Sequence, residues 1–158
     1  MSNNDSRNRE ITPSLYRHAI SGRVKTFEVD RQNIVHNVIY MYWLEYARVE
    51  YVRSIGIIIE PTTFIDHHTF VVAKTEVQYL APALFDQEYT IFTRISSIGN
   101  TSFVFDQFVQ SAKDSTIYII AQSVLVQLNP QTKEPLHISK EFRDRVANYE
   151  IHSQVIGV

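Results

Sequence analysis

Between residues 36 and 56 the apolar positions of the chain recur at helical spacing. At about 100° per residue, His36, Tyr40, Trp43, Leu44, Ala47, Tyr51 and Ile55 share one sector, while Glu45, Arg48, Glu50 and Arg53 spread over the rest. The pattern predicts one long helix that starts near Val35 or His36 and ends at Gly56 as its C′ glycine. Arg53 falls in the last turn, where the helix dipole favours a cation. Glu45 and Arg48, three apart, are expected to pair on the surface.

Every other periodic stretch reads as strand. Residues 16–29 are β-branched and aromatic and lead into Asp30, with Gly22 expected as a bulge or kink. In residues 69–80, Val71, Ala73, Thr75, Val77 and Tyr79 alternate with Lys74, Glu76 and Gln78, which predicts a strand with its odd positions buried. Residues 88–98 and 102–110 form a hairpin across Gly99-Asn100, with Tyr89, Ile91, Ile95, Phe103, Phe105 and Val109 inward. A turn at Lys113-Asp114-Ser115 leads into residues 116–128, apolar on both faces from Ile117 to Ile120 as suits an inner strand. Asn129-Pro130 ends it, and Ser139 caps a short helix over residues 140–149. One buried helix followed by hairpin-connected strands gives an α+β domain with an antiparallel sheet.

Length and charge narrow the function classes. The 158 residues suit one domain over residues 14–150, flanked by a polar tail at 1–13, expected to be disordered, and a short tail at 151–158. With 15 basic and 17 acidic residues, no field favours nucleic acid or a membrane surface as partner. The absence of cysteine removes disulfides, thiolate metal sites and a cysteine nucleophile. The opening residues carry no apolar leader and no stretch is long enough to span a bilayer, so a cytoplasmic location is expected.

Candidate chemistry is sparse. Four glycines, none in a phosphate-loop spacing, argue against nucleotide triphosphate chemistry. His67 and His68, adjacent in what reads as extended chain, should point to opposite faces, and no metal site is expected. No serine elbow is present. What remains is Asp30, where a strand gives way to the start of a helix whose first N–H groups lack partners.

Asp30, Asn33, Val35, Asn37 and Tyr40, with the run from Trp43 to Tyr51, resemble the signature of hotdog-fold acyl-CoA thioesterases of the 4-hydroxybenzoyl-CoA thioesterase type. The likeness continues through residues 77–83, the hairpin at 98–103 and the turn at 129–132, and so covers roughly residues 17–146. It implies a hotdog fold, a five-stranded antiparallel sheet wrapped around one long central helix, assembled as a homodimer or homotetramer with active sites between subunits. It also implies hydrolysis of an acyl thioester of coenzyme A or of an acyl-carrier protein, without a cofactor. Asp30 matches the catalytic aspartate as nucleophile or general base, and the backbone amide of Asn37 matches the donor that polarises the thioester carbonyl. His36 and Tyr40 are candidate substrate contacts, and Asn100, Thr101 and Ser102 match the hairpin that holds the nucleotide-pantetheine arm. Lys133, Lys140, Arg143 and Arg145 are alternative phosphate partners.

Two positions depart from that pattern: Asn33 replaces the loop glycine and Ile34 a frequent histidine. Asparagine tolerates positive φ best among the other residues, so the turn is expected to survive. Set against these roles are plainer ones. An aspartate before a helix is more often an N-cap, His36 in the apolar sector is as well explained as a satisfied structural residue, and Tyr40, Trp43 and Tyr51 are core by default. Two other functions use the same fold. A non-catalytic acyl-CoA sensor or complex partner is one. An enoyl-thioester hydratase is the other, disfavoured because Val35 stands where a histidine would follow five residues after the aspartate.

Overall fold

A computed structural model describes residues 11–150. The two flanking tails, residues 1–10 and 151–158, lie outside that range, while Ile11 to Pro13, assigned above to the first tail, lie inside it. In chain order the elements are β1 (His18–Arg23), α1 (Asn37–Ser54), β2 (Phe70–Tyr79), β3 (Glu88–Ile98), β4 (Ser102–Ser111), β5 (Ile117–Gln127) and α2 (Lys140–Tyr149). The strands form one antiparallel sheet in the order β1-β3-β4-β5-β2, so α1 carries the chain from one edge to the other. This is the expected hotdog arrangement.

α1 buries Tyr40, Trp43, Leu44, Ala47, Tyr51 and Val52. Its N-terminal half packs with Tyr89, Ile91, Val109 and Ile119, and its C-terminal half with Ile95, Phe103, Phe105 and the α2 residues Phe142 and Val146. The helix ends as the pattern predicts. Gly56 takes φ +86°, a left-handed conformation open to glycine without a Cβ penalty, and Arg145 Nη1 donates to the carbonyl oxygens of Ile55 (3.3 Å) and Gly56 (2.8 Å). Ser139 caps α2 by accepting from Phe142 N–H at 3.2 Å.

Several expectations change. The strand foreseen over residues 16–29 is shorter: β1 stops at Arg23, and Thr26–Glu28 form a 3-10 turn. Gly22 lies in unbroken register opposite Tyr89, without a bulge. A Cβ there would stand 2.6 Å from the Tyr89 ring, so the glycine makes room for that ring. Residues 63–67 form a single π-helical turn, so His67 and His68 are not on extended chain and both line one surface cavity with Glu60 and Glu141.

The odd positions of β2 are not buried as expected: only Phe70 and Val77 of the strand are even half-buried. β2 is an edge, and α1 lies over β3 and β1 instead. A bulge between Val72 and Lys74 also switches the inward parity, so Phe70 and Val72 point inward before it, and Thr75, Val77 and Tyr79 after it. A groove therefore runs between α1 and β2.

Candidate active site at the start of the long helix

The segment between Glu28 and α1 is a tight loop closed on itself. Val29 bridges to Val35, and Asp30 N–H donates to Ile34 O at 2.9 Å. Asn33 adopts φ +64°, the conformation its glycine-like position demands. The Asp30 side chain sits inside this loop, half-buried, with Oδ1 accepting from Gln32 N–H at 2.7 Å and Ile34 N–H at 3.2 Å. Oδ2 has no hydrogen bond among the described residues. One carboxylate oxygen is thus anchored and the other open.

The helix N-terminus adjoins this loop. Of the amides from Val35 to Asn37, read above as free, two are occupied: Val35 N–H donates to Ala83 O at 2.9 Å and His36 N–H to Glu28 O at 3.0 Å. Both bonds pin the entering strand, which is why they are not available to a ligand. The N–H of Asn37 has no acceptor among the described residues, and the first turn contains no acidic residue to neutralise the positive end of the dipole. The Asn37 side chain folds back, Oδ1 accepting from Val38 N–H at 3.0 Å, so the backbone amide is the group left exposed.

His36 is exposed and not in the core. It occupies the N-cap with φ −58° and ψ 140°, outside the helix, so the helical phase does not place it. Tyr40 is buried, 3% exposed, with its hydroxyl accepting from Ala83 N–H at 3.2 Å and its ring edge-on to Trp43 and Tyr79. It buttresses the loop that holds Val35, and burial raises its hydroxyl above the ordinary tyrosine range. Asn100, Thr101 and Ser102 lie at the far end of the sheet, where Asn100 O accepts from Ile138 N–H and Thr101 O from Gln127 N–H, both at 2.8 Å. Within one chain they do not meet Asp30. Of the alternative phosphate cations, Lys140 pairs with Asp144 at 2.6 Å, Arg145 pairs with Glu141 at 2.9 Å, and Arg143 donates to Gly99 O. These tie α2 down.

Other polar residues shape the site without having been singled out from sequence. Glu28 is buried and accepts from Trp43 Nε1 at 2.9 Å. Gln107, 1% exposed, donates to Leu44 O and Thr93 Oγ1, both at 3.0 Å. Arg48 is not in a surface pair with Glu45; it turns inward, Nη1 donating to Gln107 Oε1 at 3.2 Å and Ser123 Oγ at 3.4 Å. Burial pulls its guanidinium below the ordinary range, with Glu45 opposing. The strand parity that put Phe105 and Val109 inward also put Gln107 there, and that was the available signal. No group of three or more metal-ligating side chains occurs among the described residues.

The model of the thioesterase superfamily matches residues 32–118. The acyl-CoA thioester hydrolase YbgC of Escherichia coli is 30% identical over 130 residues, spanning 82% of this chain and 94% of its own. A chloroplastic acyl-acyl carrier protein thioesterase of Arabidopsis thaliana is 25% identical over 128 residues, covering 79% of this chain and 68% of the relative. Among solved structures, a thioesterase from Thermus thermophilus complexed with coenzyme A and zinc superposes with a TM-score of 0.74 at 25% identity, covering 85% of this chain and 95% of that one. A mutant 4-hydroxybenzoyl CoA thioesterase complexed with 4-hydroxybenzoyl CoA gives 0.73 at 16% identity, covering 81% and 96%. With the family model matching more than half of the chain, and a five-stranded sheet around one helix that solved thioesterases share, this chain belongs to the thioesterase superfamily and is a thioester hydrolase.

Proposed function

We propose that the chain hydrolyses acyl thioesters of coenzyme A or of an acyl-carrier protein, with Asp30 as the reacting carboxylate and the Asn37 amide as the oxyanion donor. The observation that carries this reading is the pairing, at one junction, of a carboxylate with one free oxygen and an unpaired N–H on a helix N-terminus. The thioester carbonyl oxygen accepts from Asn37 N–H, where negative charge developing on it meets the positive end of α1. Asp30 Oδ2 then takes a proton from a water that attacks the carbonyl carbon, or attacks that carbon itself and is released by water afterwards. In both courses the carbon–sulfur bond breaks, the thiolate leaves and is protonated, and the products are a free acid and a thiol.

The relatives that act on acyl-CoA and acyl-carrier protein support the substrate class, and a coenzyme A complex on the same fold supports a pantetheine arm along the surface. The open edge of β2, with the outward-facing Val71 41% and Leu80 54% exposed, favours pairing with a second copy. Antiparallel pairing of two such edges would carry the Asn100–Ser102 hairpin of one copy toward the Asp30 loop of the other. Sedimentation of the wild type tests this, and a monomer at assay concentration would exclude it.

The central test is release of free thiol from a panel of acyl-CoAs by wild type and Asp30→Asn. A folded Asp30→Asn variant that retains wild-type turnover would sink the assignment. Acyl-CoA binding without turnover by the wild type would favour an acyl-CoA sensor. Single turnover in heavy-oxygen water bears on the two courses: label found in the Asp30 carboxylate identifies it as the nucleophile, through opening of the acyl-aspartyl anhydride at the aspartyl carbon, whereas attack of water on the acyl carbon labels the product acid in either course.

A further inference from the structure

The groove between α1 and β2 closes into a cavity of about 180 Å³ near the middle of the helix. Its walls are apolar, with Val49, Val52, Phe64, Phe70, Phe105 and Leu125, except where Arg48 and Glu45 reach it. Arg48 is set deep: its Nη1 bonds Gln107 Oε1 and Ser123 Oγ, and Ser123 Oγ shares a hydrogen bond with Thr75 Oγ1 at 3.1 Å. All of these partners are neutral. Among the described residues no carboxylate forms an ion pair with Arg48, its Nε and Nη2 make no hydrogen bond, and Glu45, one turn earlier, is exposed to water. A guanidinium held against apolar walls with half of its fork unused is an arrangement that an incoming carboxylate completes with two parallel N–H···O bonds.

The groove links this cation to the site proposed above. β2 runs beside α1 in the opposite sense. Tyr79 lies at the helix start, its hydroxyl 3.4 Å from Asn37 O, while Phe70 and Val72 lie at the cavity. Eleven residues separate Asn37 from Arg48, roughly 16 Å along the helix axis, and the Arg48 side chain leans back toward the N-terminus. We infer that the cavity takes the far end of the substrate's acyl chain and that Arg48 binds a carboxylate carried there, so that the substrates include acyl thioesters with a second, distal carboxylate about ten to twelve carbons from the thioester. This rests on the Asn37 amide holding the thioester carbonyl.

The test compares dodecanoyl-CoA with the mono-CoA thioester of dodecanedioic acid. Wild type is expected to favour the second by at least about tenfold in kcat/KM, chiefly through KM, and Arg48→Gln to bring the ratio near one. Val72→Trp, which fills the cavity from the inward face of β2, is expected to shift preference toward eight-carbon chains. A wild-type ratio of one or less, a preference that persists in Arg48→Gln, or an unchanged chain-length profile in Val72→Trp would overturn the inference. If wild type cleaves no thioester, the hydrolase assignment fails instead. Calorimetric binding of dodecanedioate against dodecanoate then decides the cavity alone, with roughly tenfold tighter dodecanedioate binding, lost in Arg48→Gln, supporting it and equal binding overturning it.

Discussion

The indole Nε1 of Trp43 donates to Glu28 Oε1 at 2.9 Å, joining the second turn of α1 to a residue two positions before Asp30. The same glutamate accepts from Lys25 N–H at 2.8 Å through Oε2, and its backbone oxygen accepts from His36 N–H. Both ends of the Asp30 loop are therefore referred to one buried residue. Trp43→Phe leaves a buried carboxylate short of a donor and is expected to cost about 1–3 kcal/mol in urea unfolding. Turnover should fall further than stability explains, by roughly tenfold to a hundredfold, because the Asp30 carboxylate shifts against the amide proposed as its partner.

The proposed oxyanion donor allows a clean deletion. Asn37 is the first residue of α1 and His36 before it has ψ 140°, which suits a residue preceding proline. Asn37→Pro removes one N–H where a helix tolerates proline best. The expected result is a loss of about 100-fold to 1000-fold in kcat with the thermal midpoint nearly unchanged. Wild-type turnover in a folded Asn37→Pro protein would remove the amide from the mechanism.

Gly22 faces the Tyr89 ring, and that ring is stacked on Trp43 with centroids 4.0 Å apart, so it has nowhere to retreat. Gly22→Ala is expected to destabilise the fold by about 1–3 kcal/mol, as overpacking does in a filled core. Gly22→Ala combined with Tyr89→Leu should recover most of that loss, and calorimetric melting of the four proteins in the cycle measures the recovery.

His18 is buried against Tyr51, their rings edge-to-face at 5.6 Å, and its Nδ1 has no hydrogen-bond partner among the described residues. Burial lowers its pKa, with Glu50 opposing. A group that is harder to protonate in the native state than in the unfolded chain contributes stability present above the unfolded value, about 6.5, and lost as pH falls below it. Folding stability should decline from near neutrality into the mildly acidic range, and His18→Phe should flatten that limb of a denaturation series run against pH. His68, lowered by burial in the same direction, contributes to the slope with the same sign.

The regular elements were legible because their periodicities are undiluted. β3, α2 and the inner β5 fall where alternation and capping put them, and α1 within two residues of its expected ends. The misread residues share one cause: their surroundings are set by a neighbour distant in sequence. Parity in β2 presumes a partner layer that an edge strand lacks, and it fails again at the bulge near Ala73. Gly22 carries no local sign of Tyr89, and Arg48 looks like a helix-surface cation until Gln107 and Ser123 are seen beneath it. In the candidate site, Asp30 and Asn37 belong to one short segment, the loop closed by the Val29–Val35 bridge and the helix start that follows it. The hairpin at Asn100–Ser102 stands apart from them in one chain because β3 and β4 run the length of the sheet.

The strand order also bears on how the molecule assembles. β3, β4 and β5 are joined by short hairpins and form from neighbouring sequence, whereas β1 and β2 each close a long loop to reach an outer position. Local pairing is the faster process, so the meander is the natural nucleus and the two outer strands add later. The Asp30 loop hangs between β1 and α1 and is fastened to Ala83 just beyond β2. Its geometry is therefore among the last parts of the chain to be completed, and unfolding that begins at an outer strand would silence the enzyme while most of the sheet still stands.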